Sequence, residues 1–398
     1  MHFFLFCMSM LLSVIIVNYN VKYFLEQCLC SVRKAIGEMT VATGERNVEV
    51  WVIDNNSTDG SIEYLQNRFP FVQFVKNTVN LGFSKANNQG LQKANGKYIL
   101  FLNPDTILPE DAFTKCIAFM ETTADAGALG VQMIDGTGQY LKESKRGFPS
   151  FWVSFCKMSG LTRSFPHSKI FARYYMGHLS HQEVNKIDIL SGAFMMVKKA
   201  VLDKTGGFDE QFFMYGEDID LSYRLQQTGH NNYYFPECAI IHFKGESTRK
   251  DSKYVRLFYK AMVQFVQKHF HGELAWFYTG LLEAVIWLRA AITFVSREHE
   301  ERSIKYQGTP TFFLAGDERS NNEVRSILTA FPAYTITAIP EEAKEWIFCE
   351  GTAFSFGQII DQLKSCPDWL KPFIHASGTY TIVGSHSKDQ RGFVIVMD

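Results

Sequence analysis

Three carboxylates, Glu217, Asp218 and Asp220, fall within four residues of one stretch, Tyr215-Gly216-Glu217-Asp218-Ile219-Asp220-Leu221-Ser222-Tyr223-Arg224. Apolar Ile219, Leu221 and Leu225 follow at spacings that fit the start of a helix. Free N–H groups and the helix dipole favour negative charge there, so Glu217 and Asp218 are expected on the first turn, ionised and pointing out of the fold. Taken alone, that is favourable charge placement on a solvated helix start. Two other places change its meaning. Asn103-Pro104-Asp105-Thr106 closes an apolar run, and His242 follows Ile240-Ile241. Acids at one strand end, acids on a helix start and a histidine after a second strand are suited to holding a metal ion and removing a proton.

Such groups need a scaffold to bring them together. Val14-Ile15-Ile16-Val17 is a continuous β-branched run, the pattern of a strand buried on both faces, and it ends at Asn18-Tyr19-Asn20. A helical pattern follows through Phe24, Leu25, Cys28, Leu29 and Val32. Val48-Glu49-Val50-Trp51-Val52-Ile53 is a second run. It ends in the polar turn Asp54-Asn55-Asn56-Ser57-Thr58-Asp59-Gly60, which can cap a helix over 61–68. Residues 72–75 make a third strand, followed by Asn77 to Asn80 and Leu81-Gly82-Phe83-Ser84. Tyr98-Ile99-Leu100-Phe101-Leu102 is a fourth, after which Pro109 opens a helix with Glu110 and Asp111 in its first turn. Ser191-Gly192-Ala193-Phe194-Met195-Met196-Val197 is another buried-strand pattern, leading to the turn Gly206-Gly207-Phe208-Asp209. Strands alternating with helices predict an α/β fold built on a doubly wound sheet, whose ligands bind outside the carboxyl ends of the strands. Asn18, Asp54, Asp59 and Asp105 all lie at such ends.

A dinucleotide-binding dehydrogenase also begins with strand, helix and strand. It requires closely spaced glycines after the first strand, and Asn18-Tyr19-Asn20-Val21-Lys22 has none. Taken in order, residues 13–20, the segment from Asp54 to Ser61, Asn80-Leu81-Gly82-Phe83, Asn103-Pro104-Asp105-Thr106, the Gly-Gly-Phe-Asp turn and Gly216-Glu217-Asp218-Ile219-Asp220-Leu221 resemble the family 2 glycosyltransferases. They are most similar to its bacterial rhamnosyltransferase-like branch. Several ordered motifs are more specific than any one of them. The resemblance covers residues 13–270 and implies a GT-A fold (nucleotide-diphospho-sugar transferase-like), a nucleotide-diphosphate sugar donor, a divalent cation, Mg2+ or Mn2+, and inversion at the anomeric carbon.

The resemblance also implies roles. Asp54 matches the acid that contacts the base or ribose of the donor, and Asp105 the last acid of the family's D-x-D, which binds the metal bridging the diphosphate. Asp218 matches the acid that takes the acceptor proton, with Glu217 beside it. His242 aligns with a histidine that completes the metal shell in some relatives. The implied donor-nucleotide set is Asn18, Asn20, Asp54, Asn56, Asp59, Asn80, Asn103 and Asp105. Diphosphate is a poor leaving group until a cation neutralises it, and a hydroxyl a poor nucleophile until a base removes its proton. The sequence departs from the family pattern at Asn103, which replaces the first acid of D-x-D and removes one negative charge. Plainer readings stand beside several of these. Asn55, Asn56 and Ser57 suit turn formation, Asn87 and Asn88 suit the solvent face of a helix, and Arg224 is placed to pair with Asp220 four residues back or to reach the diphosphate. His242 reads equally as a ligand and as a structural histidine.

The remainder of the chain bounds the setting. Its 398 residues allow two or three domains, and a net charge of −1 argues against a nucleic-acid binder relying on global charge. The eight cysteines include no C-x-x-C pair, which favours reduced thiols. Residues 1–12 are an apolar leader lacking the basic region and cleavage site of a signal peptide; the alternative is a short membrane-associating tail. Residues 135–186 break the rhythm. A hairpin turn, Asp135-Gly136-Thr137-Gly138, precedes an aromatic and basic segment with Lys142, Lys145, Arg146, Phe148, Phe151, Trp152, Phe155 and Lys157. It is expected to serve acceptor recognition as a lid, or else to be a surface insertion. Within 271–296, residues 274–295 carry Thr279, Glu283, Arg289 and Thr293 as their polar members, within an arc of about 120°. That one-sided stripe suits a helix lying at a membrane interface better than one crossing it, burial against protein being a third option. A linker at 297–309 leads to residues 310–398, a small Rossmann-like α/β unit without a phosphate-binding fingerprint, expected to dock or regulate. The whole reads as a glycosyltransferase at the inner membrane face acting on a glycan or lipid-linked acceptor. The alternative is a catalytically silent nucleotide-sugar-binding subunit of an assembly complex.

Overall fold

The computed structural model describes residues 10–243, 252–269, 280, 309–331, 333–385 and 392–397. Most of the apolar leader, nearly all of the segment 274–295 expected at a membrane interface, and the linker up to 308 lie outside them. In chain order the elements are β1 (Leu12–Asn18), α1 (Lys22–Thr43), β2 (Val48–Asp54), α2 (Ser61–Leu65), β3 (Val72–Lys76), α3 (Phe83–Lys93), β4 (Tyr98–Leu102), β5 (Thr106–Ile107), α4 (Ala112–Thr122) and β6 (Ala126–Ile134). They continue as α5 (Phe151–Met158), α6 (Leu161–Ser164), β7 (Asn185–Ile187), β8 (Phe194–Lys198), α7 (Lys199–Thr205), α8 (Glu217–Gln227), β9 (Asn231–His242) and α9 (Ser252–His269). The sheet runs β3-β2-β1-β4-β8-β6-β9-β5, with β7 beside β9. β1 to β4 are parallel, and β8 is antiparallel to both β4 and β6. The winding reverses between β1 and β4. A crevice therefore opens at their carboxyl ends, where Asn18 and Asn103 stand.

Both faces of this sheet are covered, which is why β1 and β4 read as unbroken apolar runs. Val14 and Ile16 join the core on the side of α1 and α4, while Ile15 and Val17 join the one containing Ala86, Leu221 and Leu225. Gly90 lets α3 lie close to β1, because a Cβ there would sit 2.5 Å from Ile15 Cγ2. Tyr233 to Pro236 and Ile240 to His242 belong to one strand, β9. Its pairing jumps from Val131↔Phe235 to Gln132↔Ala239, so Pro236, which has no N–H to give, sits in the bulge. The helix expected from Pro109 begins at Ala112 instead. Asn87 and Asn88 do not face solvent as expected. Asn87 is buried and donates to the Phe83 carbonyl, and Asn88 pins the Gly207-Phe208 turn by bonds of 2.8 and 3.0 Å. Among the described residues no helix is long and apolar enough to cross a membrane.

Residues 310–398 build a second sheet, with strands β10 (Thr311–Ala315), β11 (Thr335–Thr337), β12 (Glu345–Cys349), β13 (Lys371–His375), β14 (Thr381–Gly384) and β15 (Phe393–Val396) in the order β11-β10-β12-β13-β14-β15. β11 and β13 were not anticipated from the sequence. The unit packs onto the outer side of α1. Gln27 donates to Thr379 and Thr381 and accepts from the Ala376 N–H, and Lys34 pairs with Glu350 at 2.6 Å. Glu110, expected on a helix turn, accepts from the backbone N–H groups of Phe356 and Gly357. Phe356, Ile359 and Leu363 join the same apolar cluster as Phe24 and Leu29, so the two sheets share one core.

Candidate active site

Strand ends and two tight turns assemble the site. Parallel register sets Asn18 beside Asp54, and the Asn18 amide donates to Asp54 Oδ1 at 2.7 Å and to Ser57 Oγ at 3.1 Å. The other Asp54 oxygen accepts from the Ser57 N–H. Both side chains are fully buried, so Asp54 acts here by shaping the turn after β2. Asn20 and Asn56 are exposed and take left-handed backbone, with φ of 56° and 66°; the Asn20 side chain accepts from the Thr58 N–H. Asp59 accepts from the backbone of Lys22 and Ser61, tying the starts of α1 and α2 together. Asn80 accepts from Asn55 at 2.9 Å and from the Gly82 N–H.

A cavity of about 220 Å³ opens beside these turns, lined by Tyr19, Asn80, Phe83, Asn103, Glu217, Asp218 and His242 among others. The pairing of β5 with β9 sets Thr106 opposite His242, and the Phe243 N–H bonds the Asp105 carbonyl. As a result His242 Nε2 lies 3.4 Å from Asp105 Oδ1 and 3.3 Å from the Asn103 amide nitrogen. Asp105 Oδ1 is buried and has no hydrogen-bond donor among the described residues. A carboxylate oxygen and an imidazole suit a hard or borderline divalent cation, and Asn103 could add only its amide oxygen; among the described residues no group of three or more His, Cys, Asp or Glu converges on one point.

Across the cavity, α8 begins abruptly. Tyr215 and Gly216 both have positive φ, 69° and 81°. A Cβ on Gly216 would meet Ala261 at 3.0 Å, so that position favours glycine on two counts. The loop before it is held to the start of α3 by Phe83 N–H to Phe213 and Ser84 Oγ to Phe212. The expectation that Glu217 and Asp218 would both be ionised and point outward fails for Glu217. Glu217 is buried, its Oε2 has no hydrogen-bond partner among the described residues, and burial together with the neighbouring Asp218 charge pushes its pKa up to about 8. Asp218 faces the cavity and is ion-paired with Arg146, whose second contact is the Leu190 carbonyl at 2.9 Å. Asp218 holds the Arg146 guanidinium charged against the penalty of its burial.

The third acid has a different task. Asp220 is fully buried and bonded by Arg224, Lys268 and His269 at 2.7, 2.7 and 2.6 Å, which fastens α9 to α8. Arg224 spends its other donors on the Thr205 and Gly207 carbonyls, so the pairing with Asp220 is the one realised. Sequence reasoning noted Arg146 only as part of a basic segment. Seventy-two residues separate it from Asp218, and no local periodicity could connect them.

With this geometry in view, comparison with known proteins is informative. Residues 13–206 match the family model for glycosyl transferase family 2. That match supports a family 2 glycosyltransferase over this part of the chain. An N-acetylglucosaminyl-diphospho-decaprenol L-rhamnosyltransferase of Mycobacterium tuberculosis is 29% identical over 255 residues, 61% of this chain and 80% of that protein. The rhamnosyltransferase WbbL of Escherichia coli is 31% identical over 179 residues, 42% of this chain and 63% of that protein. Among solved structures, S. aureus TarS 1-349 gives a TM-score of 0.44 at 16% identity, covering 75% of this chain and 76% of that one. The Pyrobaculum calidifontis mannosyltransferase PcManGT, in complex with GDP-Man and Mn2+, gives 0.45 at 18%, covering 73% and 76%. The larger sheet of this chain is mixed and doubly wound, with a second sheet unit after it.

Proposed function

We propose that this glycosyltransferase inverts the anomeric carbon, moving a sugar from a nucleotide-diphosphate donor to a hydroxyl of a glycan or lipid-linked acceptor in cell-surface polysaccharide synthesis at the inner membrane face. The observation that carries the reading is one cavity with two unlike walls. Asn103 and His242, with Asp105 behind them, form one wall, and the Arg146-held carboxylate of Asp218 stands on the other. The decaprenol-linked acceptor named for the mycobacterial relative supports the acceptor class.

In this reading the donor nucleotide lies over the turns after β1 and β2, which Asn18, Asp54 and Asp59 hold in shape, with Asn80 at the cavity edge. Asp105, His242 and the Asn103 amide would hold a divalent cation, whose chemistry is to neutralise the departing diphosphate. Asp218 removes the acceptor proton. Arg146 fixes the direction of that carboxylate, so the acceptor hydroxyl meets a lone pair already aimed at it. Glu217, protonated at neutral pH, adds no second negative charge and leaves a single base at the helix start.

The test has two parts. Purified protein with a panel of nucleotide sugars should hydrolyse or transfer one donor above background, whereas a silent binding subunit would not. Donor binding, read by thermal shift, should require Mg2+ or Mn2+ and vanish in Asp105→Ala. Full turnover in excess chelator would overturn the metal assignment without touching the transferase one.

A further inference from the structure

The segment between Ser150 and Arg173 carries an outward apolar surface away from the residues that line the cavity. α5 is capped by the Ser150 side chain, which accepts from the Val153 N–H at 3.3 Å. Val153 and Cys156 are buried, yet Trp152 and Phe155, about 100° round the helix from Val153 and Cys156 respectively, are each 43% exposed. Phe165 and Ile170 follow at 52% and 59%. These four are a third of the twelve large hydrophobic residues exposed among the described residues, and all fall within nineteen positions. Three of them are connected. Trp152 stacks on Phe155 at 5.7 Å, and both Trp152 and Phe165 lie against Phe171, at 6.2 and 5.4 Å. A short helix that stays apolar beyond its buried residues has one face seeking a partner.

The charge around it is one-sided. From 144 to 182 the sequence contains no Asp or Glu, in a chain whose net charge is only −1. Arg163, Lys169 and Arg173 are exposed, and the charges of Lys169, Lys145 and Arg173 add to burial in holding His178 below its ordinary range. Exposed aromatic rings and exposed cations in one stretch of sequence without acids match the interface of an anionic bilayer, where rings settle at headgroup level and cations meet lipid phosphates. Position agrees. Arg146, bonded to Asp218, is four residues before the Ser150 cap, so the chain allows at most about 14 Å between them. A membrane under α5 would lie within reach of the acceptor side of the cavity.

We propose that the exposed Trp152, Phe155 and Phe165 surface, with Arg163, Lys169 and Arg173, docks this protein onto anionic lipid. The site is distinct from 274–295, and it would present a lipid-linked acceptor to Asp218 if the proposed function holds. Binding needs neither donor nor acceptor, so it is measured without them and its outcome is separate from that of the transferase reading.

The experiment is co-sedimentation of the full chain with vesicles of phosphatidylcholine alone or with about a quarter phosphatidylglycerol. Wild type should bind the anionic vesicles roughly tenfold more tightly than the neutral ones. Trp152→Ser combined with Phe155→Ser should weaken anionic binding by about tenfold. Arg163→Glu combined with Lys169→Glu should remove the anionic preference. Unchanged circular dichroism and thermal midpoint show that these surface variants fold. Wild-type binding that is absent, or equal on both vesicles, overturns the proposal, as does undiminished binding by the Trp152 and Phe155 variant. If that variant instead loses a concentration-dependent dimer in lipid-free sedimentation velocity while still binding vesicles, the surface belongs to a second copy of the chain and the proposal fails.

Discussion

Two helices in this molecule begin with acids just beyond a turn, and they use them in opposite ways. In the small sheet unit, Asp317 caps the helix Glu318–Leu328. Its carboxylate accepts from the Ser320 N–H at 2.9 Å and from the Thr352 N–H and hydroxyl at 2.7 and 2.8 Å. Those donors hold its pKa well below the usual range. α8 has no side-chain cap; Gly216 occupies that position, Glu217 is buried with an unpaired oxygen, and Asp218 relies on an arginine from a distant segment. Folding alone favours the first arrangement, because a buried unpaired polar atom costs free energy. The second leaves such an atom beside the cavity that Glu217 and Asp218 line; the first helix also holds one, Asn321 Oδ1. Among the described residues Asn18 Oδ1, Asp105 Oδ1 and Arg146 Nε, all near the same cavity, are left without hydrogen-bond partners too.

That contrast can be broken by mutation. The largest effect is expected from Asp218→Asn, which should cut turnover by about 10²–10⁴-fold while donor affinity stays near wild type, since the base meets the acceptor. A full-rate Asp218→Asn enzyme, with Glu217→Gln inactive, would exchange the two roles. Next, Arg146→Met should lower turnover by roughly 10–100-fold with little change in donor KM, because the carboxylate remains but loses its aim. Arg146→Lys should recover part of that loss, which a purely structural arginine would not predict.

Glu217→Gln tests the buried acid through pH. The folded-state pKa of Glu217, about 8, lies above its ordinary 4.5. Its contribution to stability is thus complete below about pH 4.5 and is lost as pH rises through about 8. Glutamine cannot ionise, so the variant should gain on wild type by up to a few kcal/mol between pH 5 and pH 9 in denaturant titrations. Its turnover at neutral pH should stay within about threefold of wild type. A stability difference that does not change with pH would contradict the protonated state. The smallest functional effect belongs to the other helix. Asp317→Ala should lower the thermal midpoint by a few degrees through loss of the cap, with transfer activity unchanged. A marked loss of activity there would mean that the small unit reports to the active site.

Local pattern carried much of this protein. Strands buried on both faces are continuous apolar runs, so β1, β2 and β4 were legible from single segments, and polar strand ends at Asn18, Asp54 and Asp105 pointed to the crevice. The ordered motifs pointed to family 2, whose model matches residues 13–206, and the spacing of Asp220 and Arg224 foretold their pairing, because both partners lie one helical turn apart. The tertiary structure decided what depends on elements far apart in the chain. Helical phase places Glu217 on the first turn of α8 but does not reveal that packing will bury it, and burial is what moves its pKa. Arg146 reaches Asp218 only because residues 146 and 189 are brought side by side. Asn87 and Asn88 looked like solvent-facing residues because a helix sequence does not say which turn will close over it. Glu110 left its expected helix turn to accept from Phe356 and Gly357, partners almost 250 positions away. Periodicity reports the two faces of one element, whereas burial, pKa and pairing are set by what lies against those faces.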